Sequence, residues 1–330
     1  MKMNETNEFL VDLNYIDTTV FTTAEPNSGL LKPGEYFGYE PSGENDRLLS
    51  ELTGAKARRK VTIRDARSLK LLDVPRLNKC GFELFTDNLG GLASNLYKAS
   101  DLNLENSGKY VDQIEDLIKS SIETNLKIKA KIVAVFDLAK RSSGTSKDQE
   151  KPLSFIHSDY TNTSGVQRLE QQAFSNKDTL APVSFIPLQS RFQNLDELKK
   201  YTSRKGRFLI VNVWRNADPS GSPILQHPLA VCDPRTVLKE SLVSYEIRCP
   251  RGLSLYEYHI SGGKGDEACK NHEWYFYSRM SINECLMWIS HDSYGIFQSV
   301  PHTSFTLPNN MKSERKSIEA RAFVFLDDLA

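Results

Sequence analysis

Two short segments carry the residues best suited to chemistry in this chain. They are Phe-Ile-His157-Ser-Asp159 and Val-Pro-His302-Thr-Ser. Strand side chains alternate between faces, so His157 and Asp159 would project from one face of a strand. The third ligand must come from elsewhere in the chain, and His302 sits in a short apolar stretch ending at Phe305. Two imidazoles and one carboxylate suit Fe(II) and leave positions open for reaction. The His-x-Asp pair alone is weak. Six histidines and 42 acidic residues among 330 give about 0.8 such pairs by chance. A polar strand end hydrogen-bonding across a turn is the bland alternative.

Thirteen residues beyond His302, Arg315, Ser317, Glu319 and Arg321 fall on one face of a strand whose other face is Ile318, Ala320, Ala322 and Val324. An interior row of arginines is costly unless it meets anions. Glu319 can serve one arginine, and a dianionic ligand could serve the other, gripped by the planar guanidinium fork. Upstream, Phe208-Leu-Ile-Val-Asn212-Val-Trp214-Arg215 places Asn212 and Trp214 on one face with Ile210. A buried amide needs a partner, either the backbone of a neighbouring loop or a ligand carboxylate. Trp214 fits a core position or a site wall. The other histidines are weaker candidates: His227 precedes a proline, His291 and Asp292 would point to opposite faces, and His259 and His272 are expected to be solvated in a Gly/Lys/Glu-rich loop.

The elements that must position these residues follow from periodicity. Tyr110, Ile114, Leu117, Ile118 and Ile122 line one face of a helix over Gly108–Leu126. Lys60–Ala66, Lys129–Leu138 and Phe155–His157 read as strands. Val166–Phe174 and Leu195–Tyr201 read as two helices within a polar insert at 165–203, a candidate lid. From Arg207 onward the pattern turns to β, at Arg207–Trp214, Pro228–Cys232, Ser244–Cys249, Trp274–Arg279, Cys285–Ser290, His302–Thr306 and Ser317–Leu326. Met280–Glu284 is expected to form one helical turn capped by Ser281 and Glu284. Residues 1–58 read as an extended, surface-wrapping lead-in. Helices followed by many short strands predict a mainly β fold with flanking helices, a β-sandwich or jelly roll, in a single domain over 1–330.

Composition narrows the partners. The 42 basic and 42 acidic residues balance, which gives no electrostatic reason to expect nucleic acid or an anionic membrane. The first residues lack the apolar core of a secretory signal, and the greasiest stretches are too short to span a bilayer. The five cysteines show no Cys-x-x-Cys spacing, so reduced thiols and a cytoplasmic location are expected. A hydrolase is disfavoured, because neither a Gly-x-Ser-x-Gly elbow nor a phosphate loop occurs.

From about Val61 to Phe325 the chain resembles the CmcJ/AsaB-like family of Fe(II)/2-oxoglutarate oxygenases, which includes cephamycin methoxylation proteins and gibberellin desaturases. The resemblance rests on Val-Thr-Ile-Arg-Asp-Ala-Arg67, Cys80-Gly-Phe, Val-Phe136-Asp through Arg141, and Ile-His157-Ser-Asp159. It continues through Asn212-Val-Trp-Arg215, Pro228-Leu-Ala-Val-Cys-Asp233, Trp274-Tyr-Phe-Tyr, Met280, Glu284 and His291-Asp292-Ser293. It ends with Pro301-His302-Thr-Ser-Phe305 and Arg315-Lys-Ser-Ile-Glu-Ala-Arg321.

The resemblance implies a double-stranded β-helix core of the jelly-roll, cupin-like kind. It makes His157, Asp159 and His302 the iron ligands. Arg315 would hold the distal carboxylate of 2-oxoglutarate, with Ser317 adding a hydrogen bond. Arg321 would lie near the other carboxylate or pair with Glu319, and Asn212 and Arg215 would be cosubstrate or substrate contacts. Trp214, Arg215, Arg141 and Arg67 are candidates to meet the prime substrate, and the arginines would suit one bearing a carboxylate. The chain departs from the family at Leu138, where a histidine is common, and in a shortened segment after Arg141. The implied activity uses O2 and 2-oxoglutarate to oxidise a C–H bond of a small molecule in specialised metabolism, by hydroxylation, desaturation or ring closure. A cyclase forming kainoid-type pyrrolidine amino acids is one alternative. A catalytically silent jelly-roll binding protein is the other.

Overall fold

The computed structural model describes residues 8–16, 56–144, 150–174, 188–248, 254–262, 269–308, 311 and 313–327. Two sheets face each other. The larger has eight strands in the order β1 (Glu8–Ile16), β2 (Lys56–Asp65), β10 (Trp274–Phe276), β7 (Leu229–Cys232), β12 (His302–Ser304), β5 (His157–Ser158), β9 (Ser254–Ile260), β8 (Leu242–Arg248). The smaller has five, in the order β3 (Phe82–Thr86), β11 (Glu284–Asp292), β6 (Phe208–Asn216), β13 (Lys316–Leu326), β4 (Ala130–Ser142). This is the expected jelly roll with helices packed outside it.

Alternation sorts each strand of the smaller sheet. Leu209, Val211 and Val213 of β6 and Ile318, Ala320, Ala322 and Val324 of β13 pack outward against Ile114, Ile118 and Ile122 of the helix Leu104–Leu126. That helix begins where Asn103 accepts a hydrogen bond from the Asn106 amide, and it ends at Lys127 in the left-handed region. Leu138 faces the same helical layer. The opposite faces of these strands, carrying Asn212, Trp214, Ser317, Glu319 and Arg321, look toward the larger sheet. The interior is apolar at both ends: Trp214, Trp288, Val231 and Val300 cluster at one, and Phe136, Tyr160, Phe208 and Phe323 at the other.

Several expectations need correction. The lead-in contains a regular strand, since β1 pairs antiparallel with β2 over its whole length; residues 17–55 lie outside the described residues. His272 is buried, and its Nδ1 lies 3.0 Å from the Tyr15 hydroxyl, which also accepts from Trp274 Nε1. His259 belongs to β9. Ser281–Glu284 is a turn in which the Ser281 amide and hydroxyl both donate to the Glu284 carboxylate. The helix Gly90–Lys98 and the strands β3 and β9 were not expected. Cys80, Cys232, Cys269 and Cys285 are free and buried, and Cys249 lies outside the described residues. Residues 175–187 of the candidate lid also lie outside them; the helices on either side are Ser164–Phe174 and Leu195–Thr202.

Arg215 points to the helical side of β6, away from Asn212 and Trp214. Its guanidinium pairs with Asp87 and lies 5.9 Å from the Tyr110 ring centroid. Removing one partner of a buried ion pair leaves the other charge uncompensated. Arg215→Met should therefore destabilise the fold by about 3–5 kcal/mol in urea titrations.

Candidate metal centre and active site

His302 of β12 stands directly opposite His157 of β5 in the sheet register. Their ring centroids are 4.4 Å apart. Asp159, two residues beyond His157, returns to the same face. One of its oxygens lies 4.0 Å from His157 Nε2 and the other 3.9 Å from His302 Nε2. One potential ligand atom from each of the three side chains lies within 4.8 Å of the others, and all three residues are buried. Thus the two distant segments meet.

The imidazoles are arranged as donors to a metal. His157 Nδ1 lies 2.9 Å from the Phe155 carbonyl, and His302 Nδ1 lies 3.1 Å from the Val300 carbonyl. A carbonyl only accepts, so each Nδ1 carries the proton and each Nε2 keeps its lone pair toward the centre. Burial, reinforced by His302, lowers the His157 pKa to about 4. Burial lowers that of His302 as well. Both rings are therefore neutral near pH 7. Burial pushes the Asp159 carboxyl up, but Arg321, joined in acid by the protonated imidazoles, outweighs it and holds the group well below the usual carboxylate range. Two neutral imidazoles and one carboxylate within reach of a single point match the donor set preferred by Fe(II).

The opposite sheet holds that carboxylate in place. Asn212 Nδ2 donates to Asp159 at 2.7 Å and to Glu319 at 2.8 Å. Ser290 Oγ donates to Asn212 Oδ1 at 2.5 Å and lies 3.3 Å from Asp159. Arg321 spans Glu319 at 2.8 Å, Asp137 at 2.6 Å and Asp159 at 3.5 Å. Asn212 thus satisfies its amide with two interior carboxylates, where a loop backbone or a ligand had been the options. Arg321 takes the pairing with Glu319. Ser290 and Asp137 escaped the sequence reading. The only signal for Ser290 was a hydroxyl on the interior face of an otherwise apolar strand.

Arg315 is differently placed. It is 3% exposed. Its Nη1 donates to the His227 carbonyl at 2.8 Å and to Ser304 Oγ at 3.2 Å. The His227 backbone adopts φ 52° immediately before Pro228, which turns that carbonyl to the guanidinium. Arg315 Nε and Ser317 Oγ are buried without a hydrogen-bond partner. Burial and the neighbouring charge of Arg141 bring the Arg315 pKa down to about 9, with only Glu319 and Tyr97 opposing. A carboxylate between Arg315 and Ser317 would answer both orphaned donors. The Arg315 guanidinium also sits 5.3 Å from the Trp214 ring centroid, so Trp214 forms a wall there. Arg141 donates to the Lys151 carbonyl at 3.0 Å and pairs with Glu150 at 3.4 Å. Arg67 is remote from the centre: it pairs with Glu284 and lines a surface cavity of about 300 Å³ with Arg76, Glu83 and Tyr277. Neither Arg67 nor Arg215 is brought to the metal centre.

A jelly roll with a buried His/Asp/His cluster, three neutral or anionic donors facing a single point, presents the donor set of a mononuclear non-haem iron centre. Comparison with known proteins agrees. The family described as the Oxidoreductase/YMDC permease-like domain matches residues 21–325, and the chain belongs to that family, with the CmcJ/AsaB-like resemblance upheld by its relatives. It is similar to hydroxylase/desaturase CTB9 of Cercospora beticola, 32% identical over 130 residues that make up 38% of this chain and 39% of that protein. Hydroxylase/desaturase efuI of Hormonema carpetanum is likewise 32% identical over 130 residues, 38% of this chain and 43% of that protein. The match therefore spans about two fifths of either hydroxylase/desaturase. An uncharacterized protein of Methylophilus leisingeri is 30% identical over 229 residues, 66% of this chain and 94% of its own length. Among solved structures, the iron and alpha-ketoglutarate-dependent endoperoxidase NvfI shares the fold with a TM-score of 0.66 at 19% identity, covering 98% of this chain and 99% of that one.

The support given to Asp159 has a measurable consequence. Partners that orient a metal-bound carboxylate typically contribute 10–100-fold to metal affinity. Asn212→Leu should weaken Mn(II) or Fe(II) binding by roughly that factor in anaerobic metal titrations, while circular dichroism stays unchanged.

Proposed function

We propose that this chain is an Fe(II)/2-oxoglutarate-dependent dioxygenase that oxidises a C–H bond of a small molecule in specialised metabolism. The observation that carries the reading is the meeting of two neutral Nε2 atoms and the Asp159 carboxylate, with the buried Arg315 and Ser317 donors lacking partners nearby. His157, Asp159 and His302 would hold the iron, and Arg315 with Ser317 would take the distal carboxylate of 2-oxoglutarate. Bound there, iron with 2-oxoglutarate and O2 supplies the oxidising power that breaks a substrate C–H bond, leaving succinate and CO2.

The chain's own residues have distinct tasks in this reading. The Phe155 and Val300 carbonyls keep each histidine in the tautomer whose Nε2 can ligate. Arg321 and Asn212 keep Asp159 ionised and aimed. Arg321 is occupied by three carboxylates, which favours Arg315 as the residue that grips the cosubstrate. Trp288, 4.8 Å from the His302 ring, and Trp214 wall off that side from water and sharpen the electrostatics of the enclosed charges. Hydroxylation, desaturation and kainoid-type ring closure all fit this chemistry, since they differ in what the oxidised carbon does next. The four free buried cysteines support a reducing, cytoplasmic setting, and among the described residues no helix is long and apolar enough to cross a membrane.

The purified chain, loaded with Fe(II) under argon and exposed to air, should release succinate from 2-oxoglutarate, and chelation of the metal should stop it. Metal-loaded protein that neither binds nor turns over 2-oxoglutarate would sink the proposal and favour a silent binding module. Arg315→Leu should raise the KM for 2-oxoglutarate by an amount corresponding to about 2–5 kcal/mol, roughly thirtyfold or more, without weakening Fe(II) binding. An unchanged KM would move the carboxylate contact elsewhere.

A further inference from the structure

On the other side of Asp159 from Arg315, a second cation stands without a counterion among the described residues. Arg168, in the helix Ser164–Phe174, is 6% exposed. Among the described residues it makes no hydrogen bond and no ion pair. Its one contact of that kind is with the face of Phe136, whose ring centroid lies 5.3 Å from the guanidinium carbon. Tyr160 is 7% exposed, and its hydroxyl also lacks a hydrogen-bond partner among the described residues. Tyr160 shares a buried cluster with Phe136, the ring beneath Arg168, and the Arg168 charge opposes the rise that burial gives the Tyr160 pKa. An arginine held only against an aromatic face keeps its donors available to an anion.

Their position relative to the metal centre is fixed at several points. Phe136 precedes Asp137, the partner of Arg321. The Phe136 ring stacks on Phe323 at 4.2 Å, and Phe323 follows Arg321 by two residues on the same interior face of β13. Arg168 therefore stands one side-chain layer outward from Arg321, a step of about 7 Å along the strand. The chain from Asp159 to Arg168 is tied. The Thr161 amide donates to Ser164 Oγ at 2.8 Å, and the Ser164 amide donates to Thr161 Oγ1 at 3.1 Å. Gly165 brings the first turn of the helix against His291. A Cβ there would collide with the His291 ring, and His291 adjoins Ser290, which contacts Asp159.

We infer that Arg168 and Tyr160 form the receptor for an anionic group of the prime substrate, and that this substrate is a small carboxylate-bearing molecule. The inference rests on the proposed oxygenase reading and deepens it. The guanidinium and the phenol hydroxyl supply the donors. The carboxylate is held outward, so the C–H bond presented to the metal lies several bonds away from it. Arg168 is a specificity residue for the prime substrate and takes no part in holding the cosubstrate.

The test uses the full chain with Mn(II) and 2-oxoglutarate bound in the absence of O2, with phenylacetate and its neutral counterpart phenylacetamide as probes, read by calorimetry. The wild-type chain should bind the acid at least about tenfold more tightly than the amide. Arg168→Met should abolish that preference, Arg168→Lys should retain part of it, and Tyr160→Phe should reduce it. The affinity for 2-oxoglutarate should stay the same in all three. Equal binding of acid and amide by the wild-type chain, binding of neither probe, or a preference that survives Arg168→Met would each overturn the inference. Should Arg168→Met fail to fold, the Lys and Phe variants decide: full wild-type preference in both overturns it. Intact metal-dependent 2-oxoglutarate binding without acid preference overturns this inference alone. Loss of 2-oxoglutarate binding in the wild-type chain overturns the oxygenase reading beneath it.

Discussion

The rest of the site depends on keeping Asp159 ionised inside a protein interior. A carboxylate out of water favours its neutral form unless charges and hydrogen-bond donors oppose the shift. Here the compensation comes from the facing sheet. Arg321, Asn212 and Ser290 project from three adjacent strands, β13, β6 and β11. The histidines bring no positive charge of their own near neutrality, because burial keeps them unprotonated. The centre is consequently set up to receive a cation.

The interior charges fall into two groups. Around Asp159, the carboxylates of Asp137 and Glu319 satisfy Arg321, and Asn212 bridges Glu319 to Asp159. That group is closed on itself. Outside it, Arg315 has an orphaned Nε, and Arg168 has no hydrogen bond or ion pair among the described residues. The two lie on opposite sides of the metal centre, one against Trp214 and the other against Phe136. A cation bound at the centre with one anionic ligand at each arginine would give Asp159, Arg315 and Arg168 each a partner of opposite charge.

Much of this was visible in the chain. The helix Leu104–Leu126 and the strands β6, β11 and β13 carry unambiguous periodicity, because each is long and packs one face against a continuous apolar layer. The alternation in β13 separated Ser317, Glu319 and Arg321 from Ile318, Ala320 and Ala322, and the two faces pack as that alternation requires. Elements without that signal were lost. β1 alternates Val11, Leu13 and Tyr15 inward, but its neighbours are polar and irregular. β9 lies beside a Gly- and Lys-rich stretch that masks it. His272 was misjudged because its burial depends on Tyr15, more than 250 residues away.

The sequence by itself determined which side chains could ligate a metal, which face of β13 would be polar, and that a jelly roll would carry them, since local alternation and residue chemistry set those properties. Only the tertiary structure decided that His302 stands opposite His157, that Arg321 is consumed by carboxylates while Arg315 is not, that Arg215 and Arg67 point away, and that Arg168 has no counterion among the described residues. Those outcomes depend on strand order and register between segments far apart in the chain, and pairing across such distances leaves no trace in local periodicity.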